Sequence, residues 1–444
     1  MNWKPVYIFC LLTLNAGWCI KTQAQRLLTL DEAIATALQN NYDIQIAKND
    51  SVVASIDYSY RNVVFLPSVN VTTSATFNNN NQRQTLADGT KKKSNNLGSN
   101  NIQASLGLNW VLFDGLRMFA TRDKAAVLLQ AGAYTAQQQV VNTVAEVVKV
   151  YYNIARQQQM MKATEVQIDL NSERAKLAQY KLDIGSGAKP DVLQSKVDLN
   201  SQKALRMQQQ TFIMQQKQQL LQVMNSKVQE HEFVVPDTIP LNQHIALGKI
   251  QEDIEKSSPA LLLSKSGIEI AQYTLKETKA DLWPTISFGS AYNYSRTNNK
   301  KVLNNFSTLY NQFNGLNYGI TARIPVFNQF AIRRQIRLDK QNIHLQQMQY
   351  DNQKSLINLA VLNAFKDYQQ QQRALKLEEE NIILAKENVF IVSETYRHGA
   401  ATLVQLREAQ LSLAQAYDRL IASRYNMKLA ETELLRLKGD IVRQ

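Results

Sequence analysis

The stretch "DIGSGAKPDVLQSK", Asp183 to Lys196, carries the spacing that most invites a chemical reading. Gly185, Gly187 and Pro190 interrupt a tract otherwise rich in Ala, Leu, Lys and Gln. A G-x-G spacing before a helix can open a phosphate loop, in which glycines let backbone amides approach an anion. That chemistry needs a preceding strand and a third glycine in register, and "GSGAKP" has neither. The other reading is a turn, with glycine reversing the chain and proline starting the returning helix. Asp191 then stands where an acid complements a helix N-terminus, as a capping or first-turn group.

The remaining reactive side chains make no catalytic constellation. His231, His244, His344 and His398 are scattered without H-E-x-x-H or H-x-x-x-H spacing, and suit surface positions. There is no G-x-S-x-G and no P-loop, and Glu378-Glu379-Glu380 reads as a solvated helix face. No enzyme activity, cofactor or metal is expected. Both cysteines, Cys10 and Cys19, lie in an N-terminal segment where Lys4 precedes an apolar run and small residues end at Ala24. That is the pattern of a signal peptide over residues 1–24. Lipidation at Cys19 is the alternative, and the bulky Trp18 before it fits poorly. Cleavage after Ala24 leaves no thiol, which excludes disulfides and cysteine chemistry. The net charge is +13, and Lys4 and Lys21 leave with the leader. The other cations are spread along the chain, the densest run being Lys91-Lys92-Lys93. An exported chain rarely meets nucleic acid, so this balance reads as solvated surface, with lipid headgroups as a secondary partner.

The elements that must position the glycine turn occur twice. "FLPSVNV" at 65–71 resembles "LWPTISF" at 282–288, offset by 217. "LNWVLFDG" at 108–115 resembles "ARIPVFNQ" at 322–329, and Gly185 has its counterpart in Gly399, both offset by 214. The 444 residues therefore read as a tandem duplication. The first repeat covers 25–229, with a β-hairpin near 67–113 and a helical hairpin over 115–229 whose tip lies near 185–191. An irregular segment follows over 230–258. The second repeat covers 259–444, with a β-hairpin near 284–327 and a helical hairpin over 329–438 whose tip lies near 396–405.

Each repeat opens with a helix. In the first, Thr29 or Asp31 is the N-cap candidate and the helix is expected to run to about Val63, stopped by Pro67. The strands alternate. Ile102, Ala104, Leu106, Leu108, Trp110 and Leu112 share one face, as do Leu316, Tyr318, Ile320, Ala322, Ile324 and Val326 in the second repeat. Such strands suit a transmembrane barrel or a half-buried soluble sheet equally well. Four strands cannot close a barrel alone, so a membrane reading requires several chains to pool theirs.

Between Gly115 and Ile184 there is no proline and only Gly132 as an internal breaker. A helix that long reaches about 100 Å. Leu406, Ala409, Leu413, Ala416, Leu420, Ser423, Met427, Ala430, Leu434 and Leu437 keep the 3-4 spacing of a coiled-coil seam. A weaker seam is expected in the first repeat at Leu193, Val197, Ala204, Met207, Met214 and Leu221.

The duplicated halves, the proline-marked step from helix to strand, "FDG" after the second strand and "Y-x-x-G" between two long helices resemble the TolC-like outer-membrane efflux protein family. The likeness spans the whole mature chain. It implies a mainly α fold with a β-barrel portion: a homotrimer with a 12-stranded barrel in the outer membrane and a coiled-coil tunnel through the periplasm. It also implies the partners, a periplasmic membrane-fusion adaptor and an inner-membrane pump of RND, ABC or similar type, in tripartite efflux or type I secretion. Gly185, Gly187 and Gly399 then resemble the tip turns that dock the adaptor. Tyr396 and Asp191 resemble a gating pair, with Arg397 or Arg407 a substitute for the basic residue replaced by Ala401. Gln405 and Glu408 fall where acidic rings constrict the pore, Gln405 being neutral. Two other readings stand beside this one, a non-pore coiled-coil scaffold and a secreted carbohydrate or peptide binder.

Overall fold

The structure is a computed structural model describing residues 26–229, 232–242, 245, 247–303 and 306–441. The expected signal peptide with both cysteines lies outside the described residues, as do His231 and His244. In chain order the elements are β1 (Arg26–Leu27), α1 (Leu30–Asn40), α2 (Tyr42–Ser59), β2 (Ser68–Thr85), β3 (Lys91–Asp114), α3 (Arg117–Asp183), α4 (Lys189–Met224), β4 (Phe233–Val234), α5 (Leu247–Ser257), α6 (Pro259–Ala280), β5 (Thr285–Asn299), β6 (Tyr310–Arg323), α7 (Ala331–Arg397) and α8 (Leu403–Lys438). The duplication is exact at the level of the long helices. α3 and α7 each have 67 residues, α4 and α8 each have 36, and both pairs start 214 residues apart.

The chain divides into two compact units. One comprises residues 43–141, 247–363 and 437–444 and holds the four-stranded antiparallel sheet, in the order β2-β3-β5-β6. β2 and β6 are its edges and have no further neighbour among the described strands. Alternation puts Val69, Val71, Leu106, Leu108, Tyr292, Leu316, Tyr318 and Ile320 on one face. The outermost of these are largely bare, Val71 at 70% and Tyr318 at 76% exposure. The opposite face carries Asn70, Thr72, Gln103, Ser105, Asn293 and Asn317, cross-linked by Ser105 Oγ donating to Asn293 Oδ1 at 2.8 Å.

The strands differ from expectation at two points. A bulge between Val111 and Phe113 makes Leu112 the extra residue, so Phe113, paired with Ile286, continues the apolar face. β6 stops at Arg323, leaving Ile324 and Val326 outside the ladder. Gly132 breaks nothing. α3 runs straight through it, and an added Cβ would sit 3.3 Å from Ala54 Cβ and 3.4 Å from Ser51 Cα. Its role is to let α2 approach.

The other unit comprises residues 1–42, 142–246 and 364–436. Thr29 caps α1, its hydroxyl accepting from the Glu32 amide at 3.3 Å. The helix expected to reach Val63 breaks instead at Asn41, a buried residue whose side-chain amide donates to Val223 O at 2.8 Å. That long-range bond offsets the interrupted ladder. All ten positions of the α8 seam are buried. α7 buries Tyr368, Leu375, Ile382, Val389 and Tyr396 at intervals of seven, the period of a coiled coil. Glu378 and Glu379 are not a purely solvated face, since they meet Arg419 at 3.1 Å and Arg424 at 3.5 Å on α8.

Burial on α4 falls one register off the expected weaker seam. Leu193, Val197, Ala204, Met207 and Met214 are exposed, while Val192, Ser195, Gln209, Ile213, Lys217, Leu220 and Met224 are buried. Lys217 is tolerated because its ammonium donates to Phe233 O at 2.7 Å and lies over the Phe233 ring. Around Phe233 the chain forms a parallel pairing of β1 with β4. The segment expected to be irregular also contains α5.

Candidate functional site

Both helical hairpins reverse through the same backbone device. Gly185 has φ +77° and Gly399 has φ +79°, the left-handed conformation that costs a side-chain-bearing residue about 1–2 kcal/mol. Around Gly185, its own amide bonds Leu182 O at 3.0 Å and the Ser186 amide bonds Lys181 O at 2.8 Å. Around Gly399, its amide bonds Tyr396 O at 3.1 Å and the Ala400 amide bonds Thr395 O at 2.9 Å. Each is a Schellman cap, satisfying the last helical carbonyls. Gly187 is needed for space, because a Cβ there would lie 2.8 Å from Leu182 N and 2.9 Å from Lys181 C.

The two returning helices start differently. α4 has Ala188 as N-cap with no side-chain bond, Pro190 in its first turn and Asp191 just after it. Asp191 is therefore a first-turn acid favoured by the helix dipole, not the cap. α8 starts with a capping box: Thr402 Oγ1 accepts from the Gln405 amide at 3.3 Å, and Gln405 Oε1 accepts from the Thr402 amide at 2.8 Å. The side chain of Gln405 is thus committed to its own helix terminus.

The structure brings the two turns together around a recess of about 670 Å³ whose walls include Lys181, Gly187, Asp191, Tyr396, Arg397 and Gly399. Tyr396 is only 5% exposed. Burial, and then the negative charge of Asp191, push its phenol above the ordinary tyrosine value. Lys181 holds it from α3, donating to Tyr396 O at 2.5 Å with its ammonium 3.9 Å from the ring centroid. Arg397 pairs with Glu394 on its own helix at 3.1 Å, and Arg407 pairs with Asp198 at 3.2 Å. Neither pairs with Asp191.

Deeper from the turns lies a second cluster that sequence reasoning missed. Arg174, 3% exposed, donates through Nη2 to Asp198 Oδ2 at 2.5 Å and through Nη1 to Gln410 Oε1 at 2.9 Å. Asp198 also accepts from Gln194 at 2.9 Å. Desolvation lowers the Arg174 pKa, and Asp198 opposes that shift. Glu408 is exposed at the border of the adjoining cavity, about 510 Å³, beside Arg174, Asp198 and Arg407. The cluster joins α3, α4 and α8, and nothing local singles it out, because Arg174 continues a buried stripe that is itself polar through Thr164, Gln167 and Asn171.

Among the described residues no group of His, Cys, Asp and Glu could hold a metal, and no helix is long and apolar enough to cross a membrane. His344 and His398 are both exposed.

A family profile described as "Outer membrane efflux protein" matches residues 33–226 and again 251–440, once in each half. Among curated relatives, the chain is 21% identical over 337 residues to the outer membrane efflux protein BepC of Brucella suis, covering 75% of this chain and 71% of that one. It is 18% identical over 359 residues to the outer membrane protein TolC of Escherichia coli, covering 80% and 72%. Among solved structures, the CmeC outer membrane channel of Campylobacter jejuni superposes with a TM-score of 0.76 at 15% identity, over 93% of this chain and 85% of that chain.

Proposed function

The chain belongs to the outer membrane efflux protein family, whose members are channel proteins, and from that membership we propose that it is the passive outer-membrane conduit of a tripartite export system. Three copies pool their strands into a closed barrel, and the helical hairpins continue it as a tunnel through the periplasm. An adaptor docks at the glycine turns, and an inner-membrane pump supplies the energy.

One observation carries this reading: a four-stranded sheet with a bare apolar face, a polar opposite face and two edges unpaired among the described residues. In hydrocarbon each orphaned backbone group costs several kcal/mol, so the edges β2 and β6 must be covered. Pairing β6 of one copy with β2 of the next satisfies both, and the polar faces then line a water-filled bore. A coiled-coil scaffold has no use for such a sheet. The buried Tyr396 beside Asp191 and under Lys181, between the two turns, supports a gate there.

The decisive experiment combines light scattering on detergent-solubilised protein with conductance in planar bilayers. A trimer that forms discrete channels is expected, and a water-soluble monomer would overturn the reading. The gate is tested separately by Tyr396→Phe with Asp191→Ala. Conductance of the closed channel rises if these side chains hold the tip shut, and an unchanged value removes them from that role.

A further inference from the structure

The lipid-facing side of the sheet does not end in neutral loops. Its cross-strand rows run upward from Phe113–Ile286 through Val71–Leu106–Tyr292–Leu316 to Thr73–Ala104–Tyr294–Asn314. The next row is Ala75–Ile102–Arg296–Gln312, and there the first cation stands on this face. Higher up, the stem of Lys300 lies over Gly98, 3.2 Å from where a Cβ would be. A bulge between Asn80 and Gln82 then inserts one extra residue into β3. Beyond it Arg83 faces Lys93 and Thr85 faces Lys91, so the odd-numbered face of β2 that carries Val69, Val71 and Phe77 continues as Arg83, Lys93 and Lys91.

These five cations form no ion pair among the described residues. The only acid between Ser68 and Phe113 is Asp88, and between Thr285 and Arg323 there is none. Asp88 is occupied at the turn, accepting from the Thr90 amide at 2.9 Å.

Height discriminates between ligands. Arg83 lies eight residues beyond Ala75, about 26 Å along the strand, or about 19 Å along the membrane normal at a tilt near 45°. A phospholipid headgroup layer is only about 5–8 Å deep and reaches Arg296 alone. A ladder of cations extending so far outward matches an anionic headgroup that itself extends outward.

We propose that Arg83, Lys91, Lys93, Arg296 and Lys300 form a binding site for a phosphorylated glycolipid of the outer leaflet, with Arg296 at the headgroup phosphate and the hairpin cations on phosphorylated sugars above it. The proposal rests on the outer-membrane reading, because it requires these rows to leave the bilayer on its outer side.

The test compares full-length wild-type protein with the variant Arg83→Gln/Lys91→Gln/Lys93→Gln. Both are titrated in detergent with a phosphorylated lipid A bearing a phosphorylated core oligosaccharide, with the same glycolipid after phosphatase treatment, and with phosphatidylglycerol. At about a tenfold effect for two screened cations, the triple variant should bind the phosphorylated glycolipid at least about 10-fold more weakly, with the gap narrowing at high salt. Phosphatidylglycerol should bind both proteins alike. Equal binding of the phosphorylated glycolipid by variant and wild type overturns the proposal, as does wild-type binding that ignores the phosphatase treatment. Channel formation in planar bilayers keeps the two readings apart. If both proteins conduct and bind alike, only the lipid site falls; if neither conducts, the conduit reading falls first.

Discussion

Asp198→Asn isolates the energetics of the buried cluster beside the tip. Arg174 and Asp198 have side chains 2% and 16% exposed, so their pair is barely screened by solvent. The second guanidinium on Asp198 belongs to Arg407, 58% exposed, and contributes at most about 1 kcal/mol. Asparagine keeps the shape and can still meet one guanidinium N–H through its carbonyl oxygen, but it removes the carboxylate charge. What remains is a buried cation whose other partner is the neutral Gln410. Breaking a buried pair from one side costs about 3–5 kcal/mol. For a cooperative unit of this size each kcal/mol moves the midpoint by about 2–4 °C, so a loss of roughly 10 °C is expected. The assay is thermal unfolding of the full-length, detergent-solubilised protein, followed by far-ultraviolet circular dichroism at one fixed scan rate. A companion, Arg174→Met/Asp198→Leu, replaces the pair with apolar side chains and should recover most of the loss. The reasoning fails if Asp198→Asn melts within about a degree of wild type. It fails equally if the apolar pair melts as low as Asp198→Asn, since shape rather than uncompensated charge would then set the cost.

Three further outcomes are expected. Gly399→Ala forces alanine to φ +79° with nothing to collide with, which lowers the unfolding midpoint by the equivalent of about 1–2 kcal/mol; Gly187→Ala instead drives a Cβ into the Lys181–Leu182 backbone, so it should weaken adaptor binding in a pull-down more than Gly399→Ala does. Gln405→Ala opens the capping box at α8, at about 0.5–1 kcal/mol, and hydrogen exchange at the Thr402 amide should quicken while Gln405→Glu restores it. Burial pushes the phenols of Tyr151 and Tyr152 up to about 12, so the folded state keeps protons that the unfolded state releases above pH 10. Stability is therefore full below pH 10 and declines as pH climbs towards 12; alkaline titration followed by circular dichroism should show a shallower decline for Tyr152→Phe.

What could be read from the sequence was whatever local periodicity and repetition encode. The α8 seam was legible because nine of its ten buried positions are Leu, Ala or Met, with the small Ser423 as the one polar member. Its counterpart on α4 was misread because burial there falls on Ser195, Gln209 and Lys217, whose polar groups find partners only in the folded chain, while the larger Leu193, Val197 and Met207 are bare. The break at Asn41 depends on Val223, 182 residues away, and the grip on Tyr396 depends on Lys181, 215 residues away. Contacts at such separation leave no periodic trace. Gly185 and Gly399 were legible for the opposite reason: a left-handed backbone narrows the choice to glycine at one position, and duplication wrote it twice. Gln405 shows the limit of positional analogy, since its neutral amide is accounted for by a helix cap within its own chain.

The polar face of the sheet narrows where discrimination can occur. From Asn70 to Asn80 and from Asn109 back to Ser99 it carries Asn, Ser, Thr, Gln and Gly, and β5 and β6 repeat that composition between Ser287 and Thr321 with Phe313 as the one large apolar side chain. No charge stands on these rows; on the same face it appears beyond them, with Asp114 and Arg323 flanking Thr285 at one end and Lys92 opposite Gln84 at the other. The apolar face, by contrast, concentrates its charge in one direction, and the helical tips mix Asp191, Lys181, Arg397 and Glu408 within a few turns. In the proposed conduit the sheet cations serve anchoring and the tip charges serve contact or gating. On the proposed reading the choice of cargo falls to the partner that docks at the glycine turns, so alterations there should change what is exported and alterations of the bore should change only how fast.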